Sequence, residues 1–271
     1  MKEQTAENIN ILGRFCGKRD VEALTVSHLQ DQYGWRRADV MVLFGGSIIS
    51  GGDVLADTMK NEIAEKYVIV GGAGHTTGTL RQKVREEYPS IITEGLPEAE
   101  IFNRYLEAVY GLKADYLETQ STNCGNNITY LLELLKQQGI GFRSIILCQD
   151  ATMQCRMDAG LRKYIPDDVT IINFAAYQAE VTLKNGQLDY SENIHGMWDM
   201  DRYVNLLMGE IPRLTDDADG YGPKGKDFIA HVDIPEEVRT AFEELREIYG
   251  GEIRKANPLY ASKRADGHYS G

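Results

Sequence analysis

The sequence predicts an α/β protein: a Rossmann-like, doubly wound and mainly parallel sheet, with a helical annex supplied by the two ends of the chain. Three observations carry this. Short apolar runs alternate with helical stretches between residues 38 and 184, the pattern of parallel strands joined by crossover helices. The two strongest runs, Val40-Met-Val-Leu-Phe44 and Tyr67-Val-Ile-Val70, are apolar without alternation, as strands covered on both faces of a sheet must be. Both end in glycine turns, Gly45-Gly46-Ser47 and Gly71-Gly72-Ala-Gly74, where the backbone can bend sharply and lie close to a ligand.

Taken in order, residues 1–37 read as helical. Ile9, Leu12, Phe15 and Cys16 share one face, and Val21, Leu24, Val26 and Leu29 continue the apolar content. Two short helices cannot hold together alone, so this segment has to pack on the rest of the chain. A strand at 39–44 and a polar-faced helix at 53–66 lead back to the strand at 67–70, which completes a βαβ unit. A helix follows from Leu80, then a short strand at 90–93. The helix at 98–110 turns Ile101, Tyr105, Leu106 and Val109 inward. A brief strand at 115–118 precedes a helix at 128–138. The strand at 144–148 ends in Gln149-Asp150, a helix at 152–164 stops before Pro166, and a strand at 169–174 follows.

Past Tyr177 the pattern changes. Lys184-Asn-Gly-Gln187 is a turn signal. Residues 197–208 read as a helix, 216–226 as a loop rich in Gly and Asp, and 235–249 as a charged amphipathic helix. The organisation expected is a Rossmann-like domain at 38–184, with a helical subdomain from 1–37 plus 185–271.

Composition narrows the partners. The 271 residues hold 29 Lys and Arg against 41 Asp and Glu, a formal net charge of −12. Nucleic acid and anionic membrane surfaces both call for basic surface, so a small molecule is the expected partner. No apolar run approaches the roughly 18 residues of a spanning helix. Met1-Lys-Glu-Gln-Thr-Ala-Glu7 lacks a signal-peptide core, and a cytoplasmic location is expected. The four cysteines (Cys16, Cys124, Cys148, Cys155) form no CxxC pair and read as reduced thiols. The five histidines are scattered without metal-ligand spacing, so no metal site is predicted. Nothing in the sequence specifies an oligomeric state.

In doubly wound sheets ligands bind beyond the carboxyl ends of the strands, where strand order reverses. That rule gathers Gly45, Gly46, Ser47, Gly72, Gly74, His75, Thr76, Ser121, Thr122, Asn123, Gln149 and Asp150 on one rim. The strand, glycine turn and helix start at 67–78 would present free N–H groups and a helix dipole to a phosphate or carboxylate. A tight βα turn without a ligand fits the same residues. In Ser121-Thr-Asn-Cys-Gly-Asn-Asn127 a helix cap accounts for one polar residue, and the box supplies five.

The glycine loop reads GxGxxxG rather than the dinucleotide GxGxxG, and Glu94, twenty residues after Gly74, is a weak match to a ribose-binding carboxylate. Asp219-Gly-Tyr-Gly-Pro-Lys-Gly-Lys-Asp227 lacks the GK[ST] ending of a phosphate loop, yet Arg213, Lys224 and Lys226 concentrate positive charge there. A solvated loop is the competing reading. Met153 and Trp198 read as packing residues. No GxSxG elbow is present. The candidate acid–base groups are His75, Glu98 and Asp150, with Arg156 holding an anion. Arg156 should lie early in the helix after residues 144–148, near the positive end of its dipole. There it needs an anionic partner: a ligand, or a carboxylate such as Glu98 or Asp150.

Five pieces together resemble a known family: Gly-Gly-Ala-Gly-His75, Glu98-Ala99, Gln120-Ser-Thr-Asn-Cys-Gly-Asn126, Gln149-Asp150-x-Thr-Met-Gln-x-Arg156, and Gly209-Glu-Ile-Pro-Arg-Leu-Thr-Asp-Asp-Ala-Asp-Gly-Tyr-Gly-Pro223. They look like the YdcF-like proteins, a broad superfamily of uncharacterised function that also holds the SanA and ElyC envelope-barrier proteins. The resemblance runs over residues 9–238. It implies a Rossmann-like domain with a helical part, and S-adenosylmethionine as the suggested ligand without an established reaction. It also places Glu98, Ser121, Asn123, Asn126 and Arg156 on the superfamily's recurrent polar positions. The envelope relatives tend to carry a histidine where this chain has Met153, and a membrane anchor not expected here. Three functions follow: a cytosolic binder of an adenosine-type or anionic molecule, a hydrolase or transferase acting on a phosphorylated or envelope-precursor substrate, and a non-catalytic scaffold.

Overall fold

The computed structural model describes residues 2–74 and 76–250. Five parallel strands form its sheet: β1 (Ala38–Phe44), β2 (Ala64–Val70), β3 (Tyr116–Glu118), β4 (Ser144–Cys148) and β5 (Thr170–Asn173), in the order β3-β2-β1-β4-β5. The chain enters at the middle strand, steps outward twice, then crosses back to the far side of β1. Strand order therefore reverses between β1 and β4, and their carboxyl ends flank the crevice where this fold class binds ligands.

Nine helices surround the sheet among the described residues: α1 (Lys2–Cys16), α2 (Val26–Tyr33), α3 (Ser50–Lys60), α4 (Thr77–Glu87), α5 (Glu98–Tyr110), α6 (Cys124–Gln137), α7 (Gln154–Arg162), α8 (Met200–Leu214) and α9 (Glu236–Tyr249). Successive strand residues point to opposite faces, and both faces are covered, so the strands read as unbroken apolar runs. Val40, Val42, Val68, Val70, Ile145 and Leu147 pack on Ile128, Leu131 and Leu135 of α6 and Met157 and Leu161 of α7. Met41, Leu43, Ile69 and Ile146 face a second core that takes in Leu55 of α3, Phe102 and Tyr105 of α5, and the buried sides of α1, α8 and α9. An antiparallel hairpin of β6 (Val181–Lys184) and β7 (Gln187–Tyr190) lies against α1. Its turn residues Asn185 and Gly186 have φ of 53° and 75°, the two positive values a tight hairpin needs.

Several boundaries differ from the sequence reading. The helix after β1 occupies Ser50–Lys60 rather than 53–66, and Glu62 turns the chain with φ 51° so that β2 starts at Ala64. Residues 90–93 form no strand. Ile92 is 69% exposed, and Thr93 Oγ1 instead donates to Arg81 O at 3.1 Å. Val109 faces outward and Phe102 fills the inner position. α6 begins four residues early because Asn123 and Asn126 form a reciprocal capping box. α8 continues past Met208 through Pro212 to Leu214. Among the described residues no helix is long and apolar enough to cross a membrane.

The N-terminal segment closes the β5 edge. Arg19 bridges antiparallel to Phe174, and Asp20 N donates to Asn173 O at 2.9 Å. Asp20 Oδ2 accepts from Asn173 N and Nδ2 at 2.7 and 2.9 Å. At the opposite edge of the sheet, where β1 and β4 begin, Asp39 Oδ2 accepts from Arg143 N, Ser144 N and Ser144 Oγ at 2.7, 2.9 and 3.0 Å, which ties β1 to β4. Asp39→Ala leaves those donors without their charged acceptor and should cost about 1–3 kcal/mol in a denaturant titration.

Candidate functional site

A cleft of about 730 Å³ opens at the carboxyl edge of the sheet, over the reversal between β1 and β4. Its floor is the set of turns that follow β1, β2, β3 and β4. Glu98, the first residue of α5, sits among them, because Glu98 N and Ala99 N donate to Gly72 O and Gly71 O at 2.9 and 2.8 Å. A Cβ on Gly45 would come within 2.5 Å of Glu98 Oε2, and one on Gly71 within 3.1 Å of Glu98 Cβ. A Cβ on Gly72 would meet Ser121 O at 2.2 Å. These three glycines make room for the protein's own Glu98 and Ser121. Among the described residues Gly46 and Gly74 have no atom closer than 3.4 Å to such a Cβ.

Glu98 Oε1 accepts from Thr76 Oγ1 at 3.2 Å and Thr77 Oγ1 at 2.8 Å. Oε2 has no hydrogen-bond partner among the described residues. Burial raises the pKa of this carboxyl, and the threonine bonds and Arg81 offset only part of the rise. Around it, Ser47 Oγ donates to Thr76 O at 2.9 Å, and Gln149 Nε2 to Gly45 O at 3.3 Å. Ser121 Oγ accepts from Gly72 N at 3.2 Å.

Asp150 also lines the cleft, but its carboxylate is taken up by the protein. Oδ1 accepts from Thr152 N and Oγ1, both at 2.9 Å, and from Tyr177 Oη at 2.7 Å. Oδ2 accepts from Trp198 Nε1 at 2.9 Å. Four internal donors make it a brace for the segment that carries Trp198 and leave it poorly placed to take a ligand proton.

Arg156 is the third residue of α7, at the expected place, with a different partner. Its Nε and Nη2 meet Glu210 Oε2 and Oε1 of α8 at 2.5 and 2.9 Å, in place of Glu98, Asp150 or a ligand. Glu210 is 1% exposed, so this is a buried two-point ion pair between helices.

The outer walls of the cleft come from Met153, Gly160 and Tyr164 on one side and Arg202, Leu206 and Arg213 of α8 on the other, with Tyr221, Lys226, Phe228 and Ile229 at the mouth. Arg202 lies 5.6 Å from the Trp198 ring and makes no side-chain hydrogen bond among the described residues. Lys226 Nζ stands 5.2 Å over the Tyr221 ring, and Arg213 donates to Gly209 O. A protein of net charge −12 thus concentrates cations along one wall.

Of the residues singled out by sequence, Gly45, Gly46, Ser47, Gly72, Gly74, Thr76, Glu98, Ser121, Thr122, Asn123, Gln149, Asp150 and Arg156 come together at the cleft. Asn126 does not line it. Its side chain accepts from Thr122 N and Asn123 N, both at 3.2 Å, and shapes the box from behind. Lys224 lies outside on the surface, beside Asp216, and Lys226 is the lysine at the mouth. Glu94 is exposed and away from the cleft. His75 lies outside the described residues. Met153 and Trp198, read as packing residues, stand in the wall, as does Cys124. Arg202, Tyr164, Tyr221 and Phe228 escaped the sequence reading. The one signal for Arg202 was its helical spacing with Leu206 and Arg213 on a single face.

Residues 193–199 form a strap that holds Trp198 in the wall. Lys83 Nζ donates to Gly196 O at 2.5 Å and stands 4.6 Å over the Trp198 ring. His195 Nδ1 meets Asp53 Oδ2 at 2.7 Å and its Nε2 meets Glu87 Oε1 at 2.9 Å. Two carboxylate acceptors require both ring nitrogens to donate, which is the imidazolium. Burial alone would lower its pKa, and the bonds and charges of Asp53 and Glu87 outweigh it and raise it. Tyr105 and Tyr110 Oη hold Asp53 Oδ1 in place at 2.5 and 2.7 Å.

Among the described residues no group of three or more His, Cys, Asp or Glu is placed to hold a metal ion. No protein-family model matches the chain.

Glu210→Ala strands a buried guanidinium and should destabilise the fold by about 3–5 kcal/mol, read by denaturant unfolding. His195 contributes stability that is fully present below its ordinary pKa of about 6.5 and fades as pH rises through the raised folded value. In thermal melts, His195→Gln should fall short of the parent most at acidic pH, and the gap should close toward alkaline pH.

Proposed function

We propose that the cleft binds a small adenosine-type or anionic molecule in a cytoplasmic protein. The observation that carries this is the pairing of a cleft at the strand-order reversal with Arg202 and Lys226 in its lining, in a chain of net charge −12. A cation kept in a partly apolar cleft without a hydrogen-bonded counter-ion favours an anionic guest. Tyr164, Tyr221 and Phe228 at the mouth supply faces for a planar or apolar part. The motif resemblance to the YdcF-like proteins supports the same reading and adds S-adenosylmethionine as a specific ligand. Its ribose hydroxyls and carboxylate suit a cleft with a carboxylate inside and a cation on the wall.

A second reading is a hydrolase or transferase acting on a phosphorylated or envelope-precursor substrate. The observation in its favour is Glu98, a buried carboxyl with raised pKa and one unengaged oxygen facing the turns.

Calorimetry of the full chain with S-adenosylmethionine and common nucleotides tests the first reading. Binding should be seen with at least one of them, and Arg202→Gln should weaken it by about 1–3 kcal/mol. No binding to any of them at about millimolar concentration, some −4 kcal/mol in affinity, would remove the proposal. Turnover of a phosphoester panel would favour the second reading.

A further inference from the structure

The cleft is lined by groups of both charges. Glu98, 7% exposed, lies at the glycine turns. Arg156 is neutralised by Glu210, and Asp150 by its four internal donors. Arg202, Arg213 and Lys226 also line the cleft. From Arg202 to Arg213 the face of α8 runs about 16 Å at the helical rise per residue. A ligand filling this cleft meets both an acceptor and cations.

Glu98 is built to be that acceptor. Both threonine donors go to Oε1, so Oε2 is left for something else. Gly45 has to be glycine because Oε2 occupies the space a Cβ would take. The protein therefore gives up side chains on two strand ends to seat a carboxylate whose outer oxygen it does not itself engage. Oε2 is not sealed from solvent, so it stands open to a ligand donor.

We propose that Glu98 Oε2 accepts a hydrogen bond from a sugar hydroxyl of the ligand while Arg202 holds its phosphate, so that the ligand class is a phosphorylated sugar, free or as part of a ribonucleotide. This rests on the binding role proposed above and specifies its chemistry. A phosphate offers the Arg202 guanidinium several acceptor oxygens and a two-point contact, and an ionised Glu98 would repel it from the glycine turns.

Glu98→Ala is the probe, because a hydroxyl accepts as well as donates and an amide in place of the carboxylate could still bond it, whereas alanine leaves nothing at the Oε2 position for the hydroxyl to meet. Calorimetry of the full chain would use AMP, its 2′,3′-dideoxy analogue, adenosine and ribose 5-phosphate, with thermal melts to confirm that each variant folds. Loss of the hydroxyls should weaken binding to the parent by about tenfold or more, and should change binding to Glu98→Ala little. Arg202→Gln should weaken AMP by about tenfold and leave adenosine unchanged. Ribose 5-phosphate binding as well as AMP would identify a sugar phosphate, and a requirement for the base would identify a nucleotide. Equal binding of AMP and its dideoxy analogue to the parent would overturn the role of Glu98. Binding of S-adenosylmethionine with none of the phosphates would overturn this ligand class while leaving the binding role intact. Silence from all of them would remove both.

Discussion

The pair between Arg156 and Glu210 is the interaction on which the geometry of the cleft depends. Taking two charges out of water costs several kcal/mol each, and only a close, two-point arrangement offsets it. That arrangement joins the start of α7 to the middle of α8. It sets the distance and rotation of α8 against the sheet domain. The helix face that carries Arg202, Leu206 and Arg213 becomes a wall through it, and α1 and α9 pack on the other side of the same helix. The annex is thereby held to the sheet by a bond that is directional as well as by apolar contact.

The second constraint is crowding where the strand order reverses. The turns after β1 and β2 approach so closely that Gly45 and Gly71 have room for hydrogen alone beside Glu98. Many of the polar groups gathered there are used by the protein on itself. Glu118 carries the backbone N–H of Gln120 and Ser121 at 2.6 and 3.0 Å, and Asp150 braces the strap that carries Trp198. Proximity to the edge of a doubly wound sheet is therefore a poor guide to function residue by residue. What distinguishes a site from its support is which polar atoms have been left without a partner.

The architecture was legible from local pattern. Parallel strands covered on both faces announce themselves as apolar runs, and β1, β2, β4 and β5 lie where those runs are. Asn185-Gly186 marked its hairpin because so few residue pairs tolerate two positive φ values. Errors fell where tertiary contacts outweigh propensity. Ile91 and Ile92 look like a strand, yet the chain turns there and only Ile91 is buried. The partner of Arg156 was out of reach, since Glu210 lies 54 residues away on a helix whose facing depends on the whole annex. The need for an anionic partner was readable from the helix dipole, whereas its identity is a property of packing. Arg202 and the aromatic mouth were missed for the same reason: single residues on separate elements leave no spacing to notice.

The way the sheet is bounded has a consequence of its own. One edge strand, β3, is three residues long. The other, β5, is occupied by the stretch at Arg19 and Asp20, with the guanidinium lying 3.9 Å over Phe174. A second molecule looking for backbone to copy finds almost none, which is how natural sheets resist edge-to-edge growth into aggregates. That protection is conditional. It is lent by a segment from the far end of the chain, so a proteolytically clipped molecule missing its first twenty or so residues would present β5 bare while the rest of the sheet stood complete.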